Sequence, residues 1–293
     1  MFVNYLIGIF VFIFGLCIGS FLNCVIYRLE KNKKITGRSF CPHCKQQLEW
    51  QDLFPVFSFL FLKGKCRYCG KRISIQYPIV ETITGLVFLL IFTFFTEGEY
   101  RSGTNHFFAS AFGRQFSIVQ FSNLIFLFYI ASSLIVIFVY DLKHYIIPDK
   151  VLLPAIAVAF CYRLFENLLN WALIEGWEIK IKNLAPLGGY LLAALIGSGF
   201  FLLIFLVSRG RAMGFGDVKL AVLMGFLLGY PNILIALFLA FFFGAIIGLI
   251  LMALRKKNLK SEISFGPFLI TATLLSFLWG EQLIRYYLSL FYF

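Results

Sequence analysis

The sequence predicts an all-α polytopic membrane protein, with about eight transmembrane helices and a cysteine-rich loop. Hydrophobic residues make up 60% of its 293 residues and charged residues only 14%, whereas soluble domains hold about 25% charged residues. Eight apolar runs approach the ~20 residues that a helix needs to cross a bilayer. These runs cover about residues 5–27, 78–95, 121–140, 151–169, 187–207, 214–230, 233–254 and 265–290.

Positive charge is concentrated on one side of the predicted spans. The loop 28–77 holds eleven Lys and Arg against three acids, within a chain of net charge +12. Placing this loop in the cytoplasm puts twenty of the 26 basic residues on the cytoplasmic side, as the positive-inside rule requires. The sequence therefore predicts a multi-pass protein of the lipid bilayer with this loop inside. No basic stripe is interleaved with aromatic residues, so nucleic acid is not an expected partner.

Two cysteine pairs stand in the loop 28–77. They are Cys41-Pro-His-Cys44 and Cys66-Arg-Tyr-Cys69, with twenty-one residues between them. Paired CxxC motifs are typical of a structural Zn²⁺ site with four thiolate ligands, and a small polar loop gains folding free energy from such a metal. Two redox-active pairs or disulfides remain the alternative, although a cytosolic location disfavours stable disulfides.

Two acidic residues mark the ends of predicted spans. Asp217 follows Gly214-Phe215-Gly216 at the start of the sixth apolar run, and Asp141 ends the third. The predicted topology places both at the cytoplasmic edge of the membrane. Carboxylates at this depth are rare and are functional candidates, and two that share a site indicate general acid–base chemistry. The glycines would permit unusual backbone angles or the close approach of another segment.

Other charged residues near the spans have two interpretations. Glu81 stands in the first turn of the second predicted span, where it either complements the helix N-terminus or has a functional role. Asp149 follows Pro148 and either caps the fourth helix or serves as a partner of the other acids. Arg163 and Glu166 have helical spacing and are expected to form a pair near the far interface.

On these motifs the chain resembles the type IV prepilin peptidases, a family of bacterial Gly-x-Gly-Asp aspartyl proteases. The resemblance covers nearly the whole chain. In the C-terminal part it rests on Asp141, six residues, Pro148-Asp149, and then Gly214 to Lys219. In the N-terminal part it rests on Gly19 to Asn23, Tyr27-Arg28, the two CxxC pairs, Trp50, Pro55, Ser58, Gly64 to Cys66, Ile73-Ser74, Tyr77-Pro78 and Glu81-Thr82. Departures at Cys24, Glu30 and residues 52–54 leave the aspartyl pair untouched.

The resemblance implies a bifunctional enzyme. By analogy Asp141 and Asp217 form the catalytic dyad, while Gly214, Gly216 and Lys219 belong to the motif that carries Asp217. The implied substrates are prepilins or pseudopilins, which lose a short basic leader and are then N-methylated with S-adenosylmethionine. The implied location is the bacterial cytoplasmic (inner) membrane, with the active site toward the cytoplasm.

The domain organisation expected from these interpretations has three parts. Residues 1–27 form the first transmembrane helix, residues 28–77 a methyltransferase-associated loop, and residues 78–293 a membrane domain with a peptidase core at about 121–254. A peptidase without methyltransferase activity is the closer alternative. A membrane transporter with an acidic ion site is an alternative of another class, and it predicts substrate flux without peptide cleavage.

Overall fold

The computed structural model describes residues 2–34, 36–101, 118–174, 185–211, 213–254 and 264–290. These residues are nearly all helical, because a backbone inside lipid must satisfy its hydrogen bonds within the segment itself. Residues 102–117, 175–184 and 255–263, which fall at or between the ends of predicted spans, lie outside the described residues. The nine α-helices of the described residues are α1 (Phe2–Glu30), α2 (Phe57–Phe61), α3 (Gln76–Arg101), α4 (Ile118–His144), α5 (Asp149–Ile174), α6 (Ala185–Ser208), α7 (Phe215–Leu228), α8 (Asn232–Ala253) and α9 (Gly266–Ser289), and a 3₁₀ turn covers Trp50–Leu53.

Seven of the described helices are long and apolar enough to cross a membrane: α1, α3, α4, α5, α6, α8 and α9. The sixth predicted span is shorter than expected. It forms α7, whose 14 residues rise only about 21 Å, against a hydrocarbon core of about 30 Å. The predicted eight spans are therefore corrected to seven long helices and one short, largely buried helix. Gly229, with a positive φ, ends this helix.

The chain divides into two compact units, residues 1–136 and 137–293, with the boundary inside α4. In the first unit, α1 and α3 approach each other at glycines. A Cβ added to Gly15 would lie 2.7 Å from the Gly85 Cα, and one added to Gly19 would lie 2.6 Å from the Glu81 Cα. Small residues at such crossings let two helix backbones pack closely in lipid.

In the second unit, α7 packs against α6 through a glycine. A Cβ at Gly225 would fall on the backbone of Ala194 in α6, so this position tolerates no side chain. Both residues are buried, as are ten of the fourteen residues of α7. The short helix is therefore an interior element of this unit.

The C-terminal end of α7 is capped by a side chain of α5. Arg163 is buried, and its Nε and Nη2 atoms donate hydrogen bonds of 3.0 Å to the carbonyls of Phe226 and Leu227. Its Nη1 atom lies 2.7 Å from Glu166, as the spacing predicted, and its guanidinium lies 4.1 Å from the Tyr190 ring centroid. The last carbonyls of a helix have no partner within the helix, and Arg163 supplies one.

Candidate active site

Asp141 and Asp217 lie at the ends of two helices of the second unit. Asp141 stands in the last turn of α4 and Asp217 in the first turn of α7, and both are buried, with exposed fractions of 3% and 8%. The charge of Asp141 acts directly on the Asp217 carboxyl. The structure therefore brings together the two acids that the sequence placed at one depth. Neither forms an ion pair within the described residues.

The sequence folds locally so that Asp217 points back over the start of its own helix. Gly214 is the N-cap of α7, and Asp217 is the third residue of the helix. The backbone N–H of Gly214 donates a hydrogen bond to the Asp217 carboxyl, as in the acidic half of a capping box. This hydrogen bond fixes the direction of the carboxyl. Gly214 has an ordinary φ of −77°, so the expectation of unusual backbone angles is wrong at this residue.

Gly216 gives room for the chain that connects α4 and α5. A Cβ at Gly216 would lie 3.0 Å from the Cβ of Ile147, a buried residue of that connection. The same Ile147 side chain also lies against Gly266 at the start of α9. The close approach predicted for these glycines is thus confirmed at Gly216.

Two residues that the sequence did not single out hold Asp141. Ser264 donates its hydroxyl hydrogen to Oδ2 of Asp141, and the backbone N–H of Gly266 donates to the same carboxyl. A Cβ at Gly266 would fall on that carboxyl, so only glycine allows the approach. The sequence signal was weak: it consisted of Ser264, Phe265 and then Gly266-Pro267 at the start of the last apolar run.

Asp149 and Lys219 form a separate pair. Both carboxylate oxygens of Asp149 accept hydrogen bonds of 2.8 Å from the Lys219 Nζ. Asp149 is the first residue of α5, where a carboxylate complements the positive end of the helix dipole. The pairing with Lys219, together with its exposed position, distinguishes Asp149 from the two buried acids.

Glu81 belongs to the first unit and corrects one expectation. Because α3 begins at Gln76, no acid stands in its first turn, and Glu81 is buried in the second turn. Its Oε2 accepts a 2.7 Å hydrogen bond from the backbone N–H of Val56, and the Ser20 hydroxyl also donates to it. Glu81 thus anchors the cysteine-rich loop to α1 and α3.

The four loop cysteines come together as the spacing predicted. One sulfur from each of Cys41, Cys44, Cys66 and Cys69 lies within 4.8 Å of every other. Tetrahedral thiolates at the usual Zn–S distance stand about 3.8 Å apart, so a small adjustment accommodates Zn²⁺. All four are free thiols, which does not favour the disulfide alternative.

Each cysteine pair stands on the same kind of turn. The backbone N–H of Cys41 donates a hydrogen bond to the carbonyl of Gln46, and that of Cys66 donates one to the carbonyl of Lys71, each at 2.9 Å. Burial raises the pKa of Cys41, but hydrogen bonds from two backbone amides and from neighbouring thiols outweigh this effect and lower the pKa to about 7. A thiol that loses its proton this readily is suited to bind metal, whereas the pKa of Cys69 is raised to about 11. The fit of the donor set to the predicted metal therefore rests on the convergence of the four sulfurs.

The helices define a polytopic membrane protein, and two buried carboxyls, Asp141 and Asp217, lie in its second unit. Residues 13–95 match the model of the bacterial peptidase A24 N-terminal domain, and residues 128–249 match that of the type IV leader peptidase family. The chain is 30% identical to the prepilin leader peptidase/N-methyltransferase of Bacillus subtilis, over 95% of this chain and 97% of the relative. The protein of that name from Legionella pneumophila is also 30% identical, over 94% and 93%.

The chain belongs to the type IV leader peptidase family. No solved structure matches it. Membership in this family favours the peptidase interpretation over the membrane transporter.

Proposed function

We propose that this protein cleaves the leader from type IV prepilins or pseudopilins and N-methylates the new amino terminus. The observation that carries the peptidase part is the pair Asp141 and Asp217, two buried carboxyls that interact electrostatically at the ends of α4 and α7. The methylation part rests on the names of the relatives, each a prepilin leader peptidase/N-methyltransferase.

The chemistry needs both carboxyls. Two neighbouring carboxyls do not ionise together easily, so they share one proton. The ionised group takes a proton from a water molecule, whose oxygen attacks the scissile carbonyl carbon. The protonated group donates to the carbonyl oxygen, which gives a tetrahedral gem-diol. As the C–N bond breaks, the proton taken from the water passes to the leaving amine, and a hydroxyl of the gem-diol returns a proton to the other carboxylate, which restores the dyad. The pair titrates as a unit, so base and acid are roles of the dyad as a whole.

The surrounding residues would keep the dyad in place. The Gly214 amide orients Asp217, while Ser264 and Gly266 orient Asp141. Lys219 pairs with Asp149, and within the described residues neither buried acid forms an ion pair with a basic side chain.

The twenty-to-six distribution of basic residues supports an inner-membrane location with the dyad toward the cytoplasm. A prepilin carries its short leader just before an apolar helix, so a dyad at that membrane edge would meet the scissile bond.

The test of the dyad uses three matched substitutions. Asp141→Asn and Asp217→Asn should each lower cleavage of a purified prepilin at least about 10²-fold, since one carboxyl cannot move both protons. Asp149→Asn is the control and should retain substantial cleavage. The readout is the intact mass of the substrate with time. Wild-type rates in the Asp217→Asn protein would overturn the assignment.

We further propose that Cys41, Cys44, Cys66 and Cys69 hold a structural Zn²⁺, which orders the loop on which methylation depends. Bound zinc would supply a fixed crosslink between the two turns and no reactive group. S-adenosylmethionine is the methyl donor implied by the family.

The metal test compares two cysteines. Cys66→Ser should lose zinc, measured by elemental analysis, and should lose methylation more than cleavage. Cys161→Ser changes an exposed cysteine of α5 and should retain both metal and activities. Cys66→Ser protein that holds stoichiometric zinc and methylates at the full rate would contradict the proposal.

A further inference from the structure

The cysteine-rich loop exposes an apolar patch. The patch consists of five large residues within a stretch of twelve: Trp50, Phe54, Phe57, Leu60 and Phe61. Trp50 is 68% exposed, Leu60 63% and Phe61 83%. Burying one such side chain is worth about 1.5–3 kcal/mol, so a contiguous exposed set indicates a binding surface.

The patch is a single built surface. Phe57, Leu60 and Phe61 stand at i, i+3 and i+4 of α2 and so share one face of it. The rings of Trp50 and Phe54 contact each other, with centroids 5.8 Å apart. The described part of the first unit leaves all five side chains exposed.

The patch is attached by side-chain contacts to the turn that carries Cys66 and Cys69. Asp52, which lies between Trp50 and Phe54, accepts a hydrogen bond of 3.0 Å from the Tyr68 hydroxyl and pairs with Arg67 at 2.9 Å. Arg67 and Tyr68 are the two residues between Cys66 and Cys69. The turn that carries two of the metal ligands thus orients the start of the patch.

The patch is also fixed in depth. The hydrogen bond from the Val56 amide to Glu81 ties the start of α2 to α3. Glu81 lies five residues inside the membrane-spanning part of α3, which is about 7.5 Å along the helix. Ser20, the other donor to Glu81, lies well inside the span of α1. The start of α2 therefore lies beside residues that belong to the two candidate spans α1 and α3.

The charges beside the patch match a lipid surface. Lys63 and Lys65 follow α2 directly, and both are exposed. Aromatic and leucine side chains next to lysines are the composition of segments that lie in the interface of anionic membranes, where each basic residue near the surface contributes about 1 kcal/mol.

We propose that the Trp50–Phe61 segment inserts its apolar patch into the lipid leaflet at which α1 ends and α3 begins. The loop is then held at the membrane surface by lipid contacts as well as by Glu81. The proposal is independent of the role of Asp141 and Asp217, because it concerns only residues of the first unit.

The experiment measures the depth of single tryptophans by fluorescence. Trp171, Trp177 and Trp279 are replaced by Phe, which leaves Trp50 as the only tryptophan of the four. The full-length protein is placed in nanodiscs of phosphatidylcholine and phosphatidylglycerol, with or without bromine on the acyl chains. Two further proteins carry Trp50→Phe with either Phe61→Trp or, as the control in the same loop, Gln46→Trp, at an exposed position beside the first cysteine pair.

Bromolipid should quench the probes at 50 and 61 at least about two-fold more than the probe at 46, as expected for a segment at the headgroup–acyl boundary. Aqueous iodide should show the reverse order. The combined Leu60→Asp and Phe61→Asp substitutions should make Trp50 accessible to iodide, with zinc content confirming that the loop is folded. Quenching of 50 and 61 by iodide alone would overturn the proposal. Protection that appears only on adding a prepilin would assign the patch to that peptide and would also overturn it.

Discussion

Replacing Arg163 tests whether the short helix α7 depends on a cap from its neighbour. Arg163→Met removes the hydrogen bonds to the Phe226 and Leu227 carbonyls, both of 3.0 Å, and leaves Glu166 without this cation. Hydrogen bonds to charged groups contribute about 1.5–3 kcal/mol each in water-soluble proteins. Hydrogen bonds between helices in a membrane contribute nearer 0.6 kcal/mol each on average, because the unfolded chain also finds hydrogen-bond partners in the membrane.

The two estimates bracket the expected loss between about 1 and 6 kcal/mol. Leaving two buried carbonyls unsatisfied raises the loss above the lower end of that range, so we expect at least about 2 kcal/mol. The measurement is the unfolding midpoint of the purified protein in mixed micelles with a denaturing detergent. Cleavage should fall too, because Asp217 stands at the other end of the same helix.

The matched control is another Arg–Glu pair of the second unit. Arg285 lies 3.1 Å from Glu281, and both side chains are more than half exposed. Exposed pairs of this kind contribute about 0.2–1 kcal/mol or less, so Arg285→Met should barely move the midpoint. Equal midpoints for Arg163→Met and Arg285→Met would refute the reasoning that the cap supports α7.

Two further predictions concern close contacts. Ser264→Ala should lower kcat of cleavage about 10- to 100-fold, the equivalent of one hydrogen bond to a charged group, and should change KM little. Ser264→Thr keeps the hydroxyl and should recover most of the rate. An effect on KM alone would contradict a role of Ser264 in orienting Asp141. Gly19→Ala should destabilise the protein by about 1–3 kcal/mol through overpacking, since its Cβ would lie 2.6 Å from a backbone atom. Gly8→Ala is the control, because its Cβ would contact only the flexible end of the Leu89 side chain, at 3.4 Å. Similar thermal stability of the Gly19→Ala and Gly8→Ala proteins would count against the close α1–α3 packing.

The features that the sequence predicted well have local signals. The convergence of the four cysteines was predicted from their spacing, because two CxxC pairs can bind one metal ion with many conformations of the chain between them. Asp141 and Asp217 were predicted to share a depth because hydrophobic runs count membrane crossings, and the resemblance to the family implied that they form one site. Apolar content also predicted the long helices. Each of these inferences needs only the chain near the residue, or the number of spans between two residues.

The features that it missed depend on contacts between distant segments. Ser264 reaches Asp141 across 123 positions, and no periodicity links them. The end of α7 is set by Gly229 and by the Arg163 cap, whereas the apolar run continues past both. Glu81 was predicted to complement a helix end, but its partner is the Val56 amide. A hydropathy pattern shows which residues enter the membrane and not which neighbours they meet.

The two attachments between α5 and α7 have a mechanical consequence. Asp149 in the first turn of α5 holds Lys219 near one end of α7, and Arg163, further along α5, holds the other end. The two helices are thereby joined near both ends, so a displacement of α5 would carry α7 and Asp217 with it. A change in the spacing of the two carboxyls during turnover would then come most directly from the partners of Asp141, namely the end of α4 and the start of α9.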